Sequence, residues 1–242
     1  MKKIIYGLTI LVLMLAAFIF VPTAAAKNEE PKLKVFVHYP KEPGKPVTLA
    51  MCAPTGNDQV NDYGLTPWHM LTSGVNYKIN YNTKPTSLTN TQVSTAVSNA
   101  FVTWSTADSK QIFNYAGTTS AQNAKYDGTN AILWKPVTSS AIAITYIWYY
   151  TRTGNLAEVD TVFNKSLKWA YNNPASGDCG GVSGKYDLQN IATHEFGHWV
   201  GLDDLYANVD KDLTMYGYGD LTELKKDSLG LGDILGVNNI QP

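Results

Sequence analysis

Along Val75-Asn-Tyr-Lys-Ile-Asn-Tyr81 apolar and polar residues alternate, the repeat of two expected of a strand that buries one face. The period then changes. Thr89 and Gln92 form a capping box, and Val93, Val97, Ala100, Phe101 and Trp104 recur at spacings of three and four, which predicts a helix packing one face against a sheet. Ala131–Trp134 and Ala141–Tyr149 are apolar, β-branched and aromatic runs and predict strands. Thr153-Gly154-Asn155 marks a turn, after which Val159-Asp-Thr-Val-Phe163 alternates again. Asp187 offers an N-cap to a helix that runs to Gly201, with Leu188, Ile191, Ala192, Phe196 and Trp199 available for packing. A last helix, from about Asp227 to Val237, presents Leu231, Ile234 and Leu235. There is no internal repeat and no long low-complexity linker.

Ahead of Val75 the texture differs. Met1-Lys2-Lys3 precedes an apolar run from Ile4 to Val21 and then Pro22-Thr-Ala-Ala-Ala-Lys27, the layout of a secretory signal peptide cut after Ala26. An uncleaved membrane anchor is the competing reading. Residues 27–73 are rich in Pro, Lys and Gly and carry one short strand-like patch at Val35–His38. They form either an N-terminal extension wrapped on the domain or a removable pro-segment. Residues 74–242 then make one compact domain, expected to be monomeric, secreted, and held at the cell surface only if the leader stays attached.

Composition narrows the partners. There are 19 basic and 20 acidic residues, Arg152 is the only arginine, and the lysines are scattered, so no face is built for nucleic acid. Two cysteines, Cys52 and Cys179, in an exported chain predict a single disulfide. A sharper alternative is a latency switch in which the Cys52 thiolate reaches a metal. Asn164-Lys165-Ser166 is the one N-glycosylation sequon.

The chemistry is concentrated at His194-Glu195-Phe196-Gly197-His198-Trp199-Val200-Gly201-Leu202-Asp203-Asp204. Two histidines four apart on a helix share a face, so both imidazoles can reach one ion while Glu195 projects to the same side as a general base. Gly201 can take the left-handed conformation that ends a helix and turns the chain back, bringing Asp204 in as a third ligand. Three protein ligands leave a position open, the mark of a catalytic rather than a structural zinc. Only four histidines occur in the chain, and the other two, His38 and His69, read as ordinary surface or hydrogen-bonded residues.

Downstream lies Leu213-Thr214-Met215-Tyr216, and with it the chain resembles the metzincins, most closely the matrixins and their prokaryotic relatives; the snapalysin branch shares the Asp in third place. The likeness runs from about Val75 to the C-terminus. It implies an α+β zincin-like catalytic domain, a twisted mixed β-sheet with an active-site helix and a C-terminal helix. It also implies one catalytic Zn2+ held by His194, His198 and Asp204, with Met215 as an apolar floor beneath the imidazoles and no Tyr ligand, because Gly217 stands where some metzincins carry one. The histidine-rich second zinc site of matrixins has no counterpart between His69 and His194, and structural Ca2+ is possible but not indicated by the sequence. Matrixins hold a latency cysteine in a Pro-Arg-Cys-Gly-like context; Ala50-Met51-Cys52-Ala53-Pro54 has neither the Arg nor the Gly.

The activity implied is a secreted zinc endopeptidase that hydrolyses polypeptide substrates through a zinc-bound water, with Glu195 taking the proton and passing it to the leaving amine. By the same resemblance, Ala141–Tyr149 is the sheet edge above the cleft on which an extended peptide aligns, with an interior strand as the alternative. Tyr206, Tyr216 and Tyr218 are candidates to line a specificity pocket. Two other classes are weighed against this: an iron oxygenase with a two-His, one-carboxylate site, and a catalytically inactive metal-binding protein of the cell surface that keeps a metzincin fold.

Overall fold

A computed structural model describes residues 29–41, 59–137, 140–173 and 179–240; the leader with its expected cleavage after Ala26, and Cys52, lie outside the described residues. In chain order the elements are β1 (Lys32–Pro40), β2 (Gly64–Leu65), β3 (Val75–Ile79), α1 (Asn90–Ala107), β4 (Phe113–Thr118), β5 (Asn130–Lys135), β6 (Ala143–Tyr149) and β7 (Leu156–Asn164). They continue with β8 (Trp169–Ala170), β9 (Tyr186–Asp187), α2 (Leu188–Val200), β10 (Leu202–Asp203), β11 (Tyr218–Gly219) and α3 (Leu231–Asn239).

Seven strands form one mixed sheet in the order β11-β1-β6-β7-β5-β3-β4. Strands β4, β3, β5 and β7 run parallel, β6 is antiparallel to β7, β1 is antiparallel to β6, and β11 is parallel to β1. The interior strands β5 and β7 are buried almost continuously, as strands covered on both faces must be, whereas β3 keeps the alternation read from its sequence.

Two helices cover one face. In α1 the Thr89 hydroxyl accepts from Gln92 N at 3.1 Å and the Gln92 side chain accepts from Thr89 N at 2.9 Å, which satisfies two donors that a helix start leaves open. The face predicted for α1 is the one it buries: Val93, Val97, Ala100, Phe101 and Trp104. Phe101 stacks on Phe196 of α2 at 3.9 Å and 7°, and the Trp104 indole N–H donates to Thr193 O at 2.8 Å. These side chains join Ile132, Phe163 and Trp199 in one core between sheet and helices, so α2 is fixed against β6 from below.

Several expectations need correction. The last helix starts at Leu231 rather than near Asp227, because Lys225–Asp227 is a single 3-10 turn and the helix begins only where Gly230 N donates to Asp233 Oδ2 at 2.9 Å. Strand β6 is not a free edge: β1 covers it over its length, and the patch Val35–His38 is the middle of that strand. Asn164 of the sequon is 3% exposed, with its amide donating to Ala141 O at 2.8 Å, so the folded chain does not present it to a glycosylating enzyme. Strand β4 has no clear periodicity and was not foreseen.

Candidate active site

Every residue of α2 is buried, so its polar side chains need internal partners. Asp187 caps the helix, its Oδ1 accepting from Asn190 N at 3.0 Å and its Oδ2 from Asn172 N at 2.7 Å. Burial nonetheless pushes the Asp187 carboxyl up to about 6. One turn separates His194 and His198, whose rings stand 5.0 Å apart and nearly perpendicular at 88°. Each Nδ1 lies on a main-chain carbonyl, His194 on Thr214 O at 2.8 Å and His198 on Leu202 O at 2.9 Å. A proton on Nδ1 donated to those carbonyls leaves both Nε2 lone pairs free and aimed the same way, the outer-shell arrangement that orients metal-binding imidazoles. Burial holds the His198 imidazole down, at about 4, and lowers that of His194 too.

The helix ends at Gly201, with φ +116°; a Cβ there would lie 2.6 Å from Trp68 O, so the position combines a left-handed turn with close backbone approach. The chain folds back through β10 against β2, and Asp204 returns to the helix. Its Oδ1 is 3.2 Å from His194 Nε2 and 3.6 Å from His198 Nε2. Asp203, by contrast, turns its Oδ1 back to accept from Asp204 N at 2.9 Å. Burial opposes ionisation of Asp204, but His198 and His194 outweigh it and hold the carboxyl at about 2. His194 Nε2 and Asp204 Oδ1 are both buried with no hydrogen-bond partner, and His194, His198 and Asp204 converge closely enough to hold one ion. Two imidazoles and a carboxylate around a shared point fit zinc. Glu195, fully buried, presents Oε2 to the Thr145 hydroxyl of β6 at 2.6 Å, and burial pushes its carboxyl up to about 8.

A family model of the matrixins matches residues 68–241. The chain belongs to the matrixin family. It is accordingly a zinc metallopeptidase that acts on polypeptides. No curated protein matches it.

The turn at Leu213–Tyr216 packs against α2 of this matrixin. Met215 is 2% exposed and lies against α2 where Gly197 has no side chain; a Cβ at Gly197 would collide with the Met215 sulfur and come within 2.9 Å of the Trp104 ring. Asp233 of α3 holds the turn, its carboxylate accepting from Thr214 N at 2.8 Å and Met215 N at 3.0 Å. The buried Lys226 ammonium donates to Thr214 O at 3.1 Å and also to Tyr216 O, and burial lowers its pKa. The carbonyl that orients His194 therefore also serves a cation.

Four contributors escaped the sequence reading. Thr145, Asp233 and Lys226 sit in stretches with no metal-site signature; the one usable hint is the Gly-x-x-Asp start of α3. The fourth is His38, expected to be an ordinary surface or hydrogen-bonded histidine. It is 1% exposed, its ring is 3.9 Å from that of His194, and its Nδ1 is 3.3 Å from Glu195 Oε1. His69 does behave as expected, bonding Met70 O at 3.2 Å and Thr153 O at 3.1 Å. Of the three tyrosines, Tyr206 does more than line space: its hydroxyl donates to Asp204 Oδ2 at 3.0 Å.

Proposed function

We propose that this matrixin is a secreted endopeptidase in which His194, His198 and Asp204 hold the catalytic zinc and Glu195 is the general base. The observation that carries the reading is the buried, unpartnered pair His194 Nε2 and Asp204 Oδ1, 3.2 Å apart beside His198. Two buried polar atoms left without partners cost folding free energy unless something binds them. Zinc, when bound, supplies a Lewis acid for the scissile carbonyl and lowers the pKa of the attacking water.

The chain's own residues do the rest. Glu195, one residue from the first ligand, takes a proton from water and returns it to the leaving amine, while the Thr145 hydroxyl fixes which carboxylate oxygen is free. Thr214 O and Leu202 O keep the two imidazoles in the metal-binding tautomer, and Tyr206 holds the second oxygen of Asp204. Secretion follows from the leader, and Cys52 with Cys179 forms the disulfide that suits an exported domain.

The test is a set of substitutions. Glu195→Ala retains zinc by elemental analysis and loses at least about a hundredfold in peptide hydrolysis, the usual scale for a general base. Asp204→Ala loses the metal, whereas Asp203→Ala keeps it. An active Glu195→Ala enzyme removes the mechanism, and the reverse result at the two aspartates moves the ligand by one residue.

A further inference from the structure

Glu195 and Trp199 are one helical turn apart in α2 and lie on the same face of it, the face turned to the sheet. The sequence marks Trp199 only as a packing residue, and its ring does pack, edge-on to Phe101 and Phe196 at 5.2 Å each. Its indole N–H nevertheless leaves that cluster and donates to Thr161 Oγ1 of β7 at 2.9 Å. Thr161 stands directly opposite Thr145 of β6, with the two hydroxyl oxygens 2.8 Å apart, and the Thr145 hydroxyl ends on Glu195 Oε2 at 2.6 Å. All four residues are fully buried. Two threonines of neighbouring strands thus bridge one turn of the helix, from its tryptophan back to its carboxylate.

The donor order follows from what each group can do. An indole nitrogen only donates, and a threonine hydroxyl carries a single hydrogen. Thr161, accepting from Trp199, turns its hydrogen to Thr145, and Thr145 turns its own to Glu195. Every hydrogen in the chain then points toward the carboxylate. A proton on Oε2 would reverse that order and leave one buried threonine hydrogen with no acceptor among these groups, which costs free energy. Oε2 is therefore kept as an acceptor, and Oε1, which has no hydrogen-bond partner, is the oxygen left to take a proton.

We propose that Thr161 and Trp199 are positioning residues for peptide hydrolysis: acting through Thr145, they hold the Glu195 carboxylate in one orientation and direct the proton it takes to Oε1. The inference rests on reading Glu195 as the general base.

Steady-state hydrolysis of a quenched fluorescent peptide by the zinc-loaded full-length chain tests this. Thr161→Val, nearly the same in shape but without the hydroxyl, lowers kcat at least about tenfold and leaves KM within about twofold, because the group acts through the base and not on the bound peptide. Thr161→Ser keeps the hydroxyl and recovers kcat to within about threefold of wild type, and both variants retain zinc by elemental analysis. In a Glu195→Ala background Thr161→Val has no further effect on the residual rate, since no carboxylate is left to hold. Should Thr161→Val fail to fold, Thr161→Val/Trp199→Phe removes donor and acceptor together and shows the same loss of kcat.

A wild-type kcat in the folded variant, an equal loss in Thr161→Ser, loss of zinc, or a further loss in the Glu195→Ala background overturns the proposal, because the hydroxyl then serves only the fold. With Glu195→Ala inactive, any of these leaves the general base in place and removes only its positioning. An active Glu195→Ala enzyme removes the base, and the proposal with it.

Discussion

Strands β1 and β7 flank the same neighbour, β6, from opposite sides, both antiparallel and over almost the same span of it. Their side chains differ completely. All but one of the β7 residues are buried and the strand is bonded to β5 on its far side, while most of β1 is exposed. Phe163 of β7 lies between Trp134 at 5.3 Å and Trp169 at 5.5 Å, inside the core. Phe36 of β1 lies on a histidine of the active site. Equivalent main-chain ladders thus carry different side chains: β7 is buried along nearly its whole length, whereas β1 commits Phe36 and His38 to the interior and leaves most of its other residues exposed.

The largest effect that would sharpen this contrast is at Phe163. Its replacement by Ala opens a cavity among tryptophans and costs about 3–5 kcal/mol, read from the denaturant midpoint. Between the two strands stands Thr145 of β6, in a relay that runs from α2 through β7 and β6 back to α2: Trp199 Nε1 donates to Thr161 Oγ1 at 2.9 Å, Thr161 Oγ1 lies 2.8 Å from Thr145 Oγ1, and Thr145 donates to Glu195. Thr145→Val leaves buried oxygens unpaired, costs about 1–3 kcal/mol of stability, and lowers kcat/KM for peptide hydrolysis by about tenfold. The smallest effect belongs to Leu33→Ala in β1, whose side chain is 51% exposed, at within about 0.5 kcal/mol by the same denaturant midpoint. A cost at Leu33 equal to that at Phe163 would break the comparison.

The periodic elements were legible because each obeys a local rule. The capping box at Thr89, the α1 stripe, the strands at Val75, Ala131, Ala141 and Val159, and the left-handed end of α2 at Gly201 are written within a few residues of one another. The convergence of His194, His198 and Asp204, the proposed metal ligands, was legible for the same reason, since the turn at Gly201 keeps all three residues in one short segment. What could not be read is the long-range part. Nothing around His38 says that it crosses to Glu195, and the apolar edge character of β6 gives no sign of what covers it. Lys226 and Asp233 look like surface residues in sequence, and only the packing of the Met215 turn gives them buried partners.

The clamp on the ligand loop has a consequence of its own. Gly64 and Leu65 pair with Asp203 and Leu202, Thr66 bonds Gly201 O through both its N–H at 2.9 Å and its hydroxyl at 2.8 Å, and the Trp68 indole donates to His198 O at 2.9 Å. Residues 64–68 thus hold the last turn of α2 and the Leu202–Asp203 turn together, so a local opening of this one short segment loosens both at once.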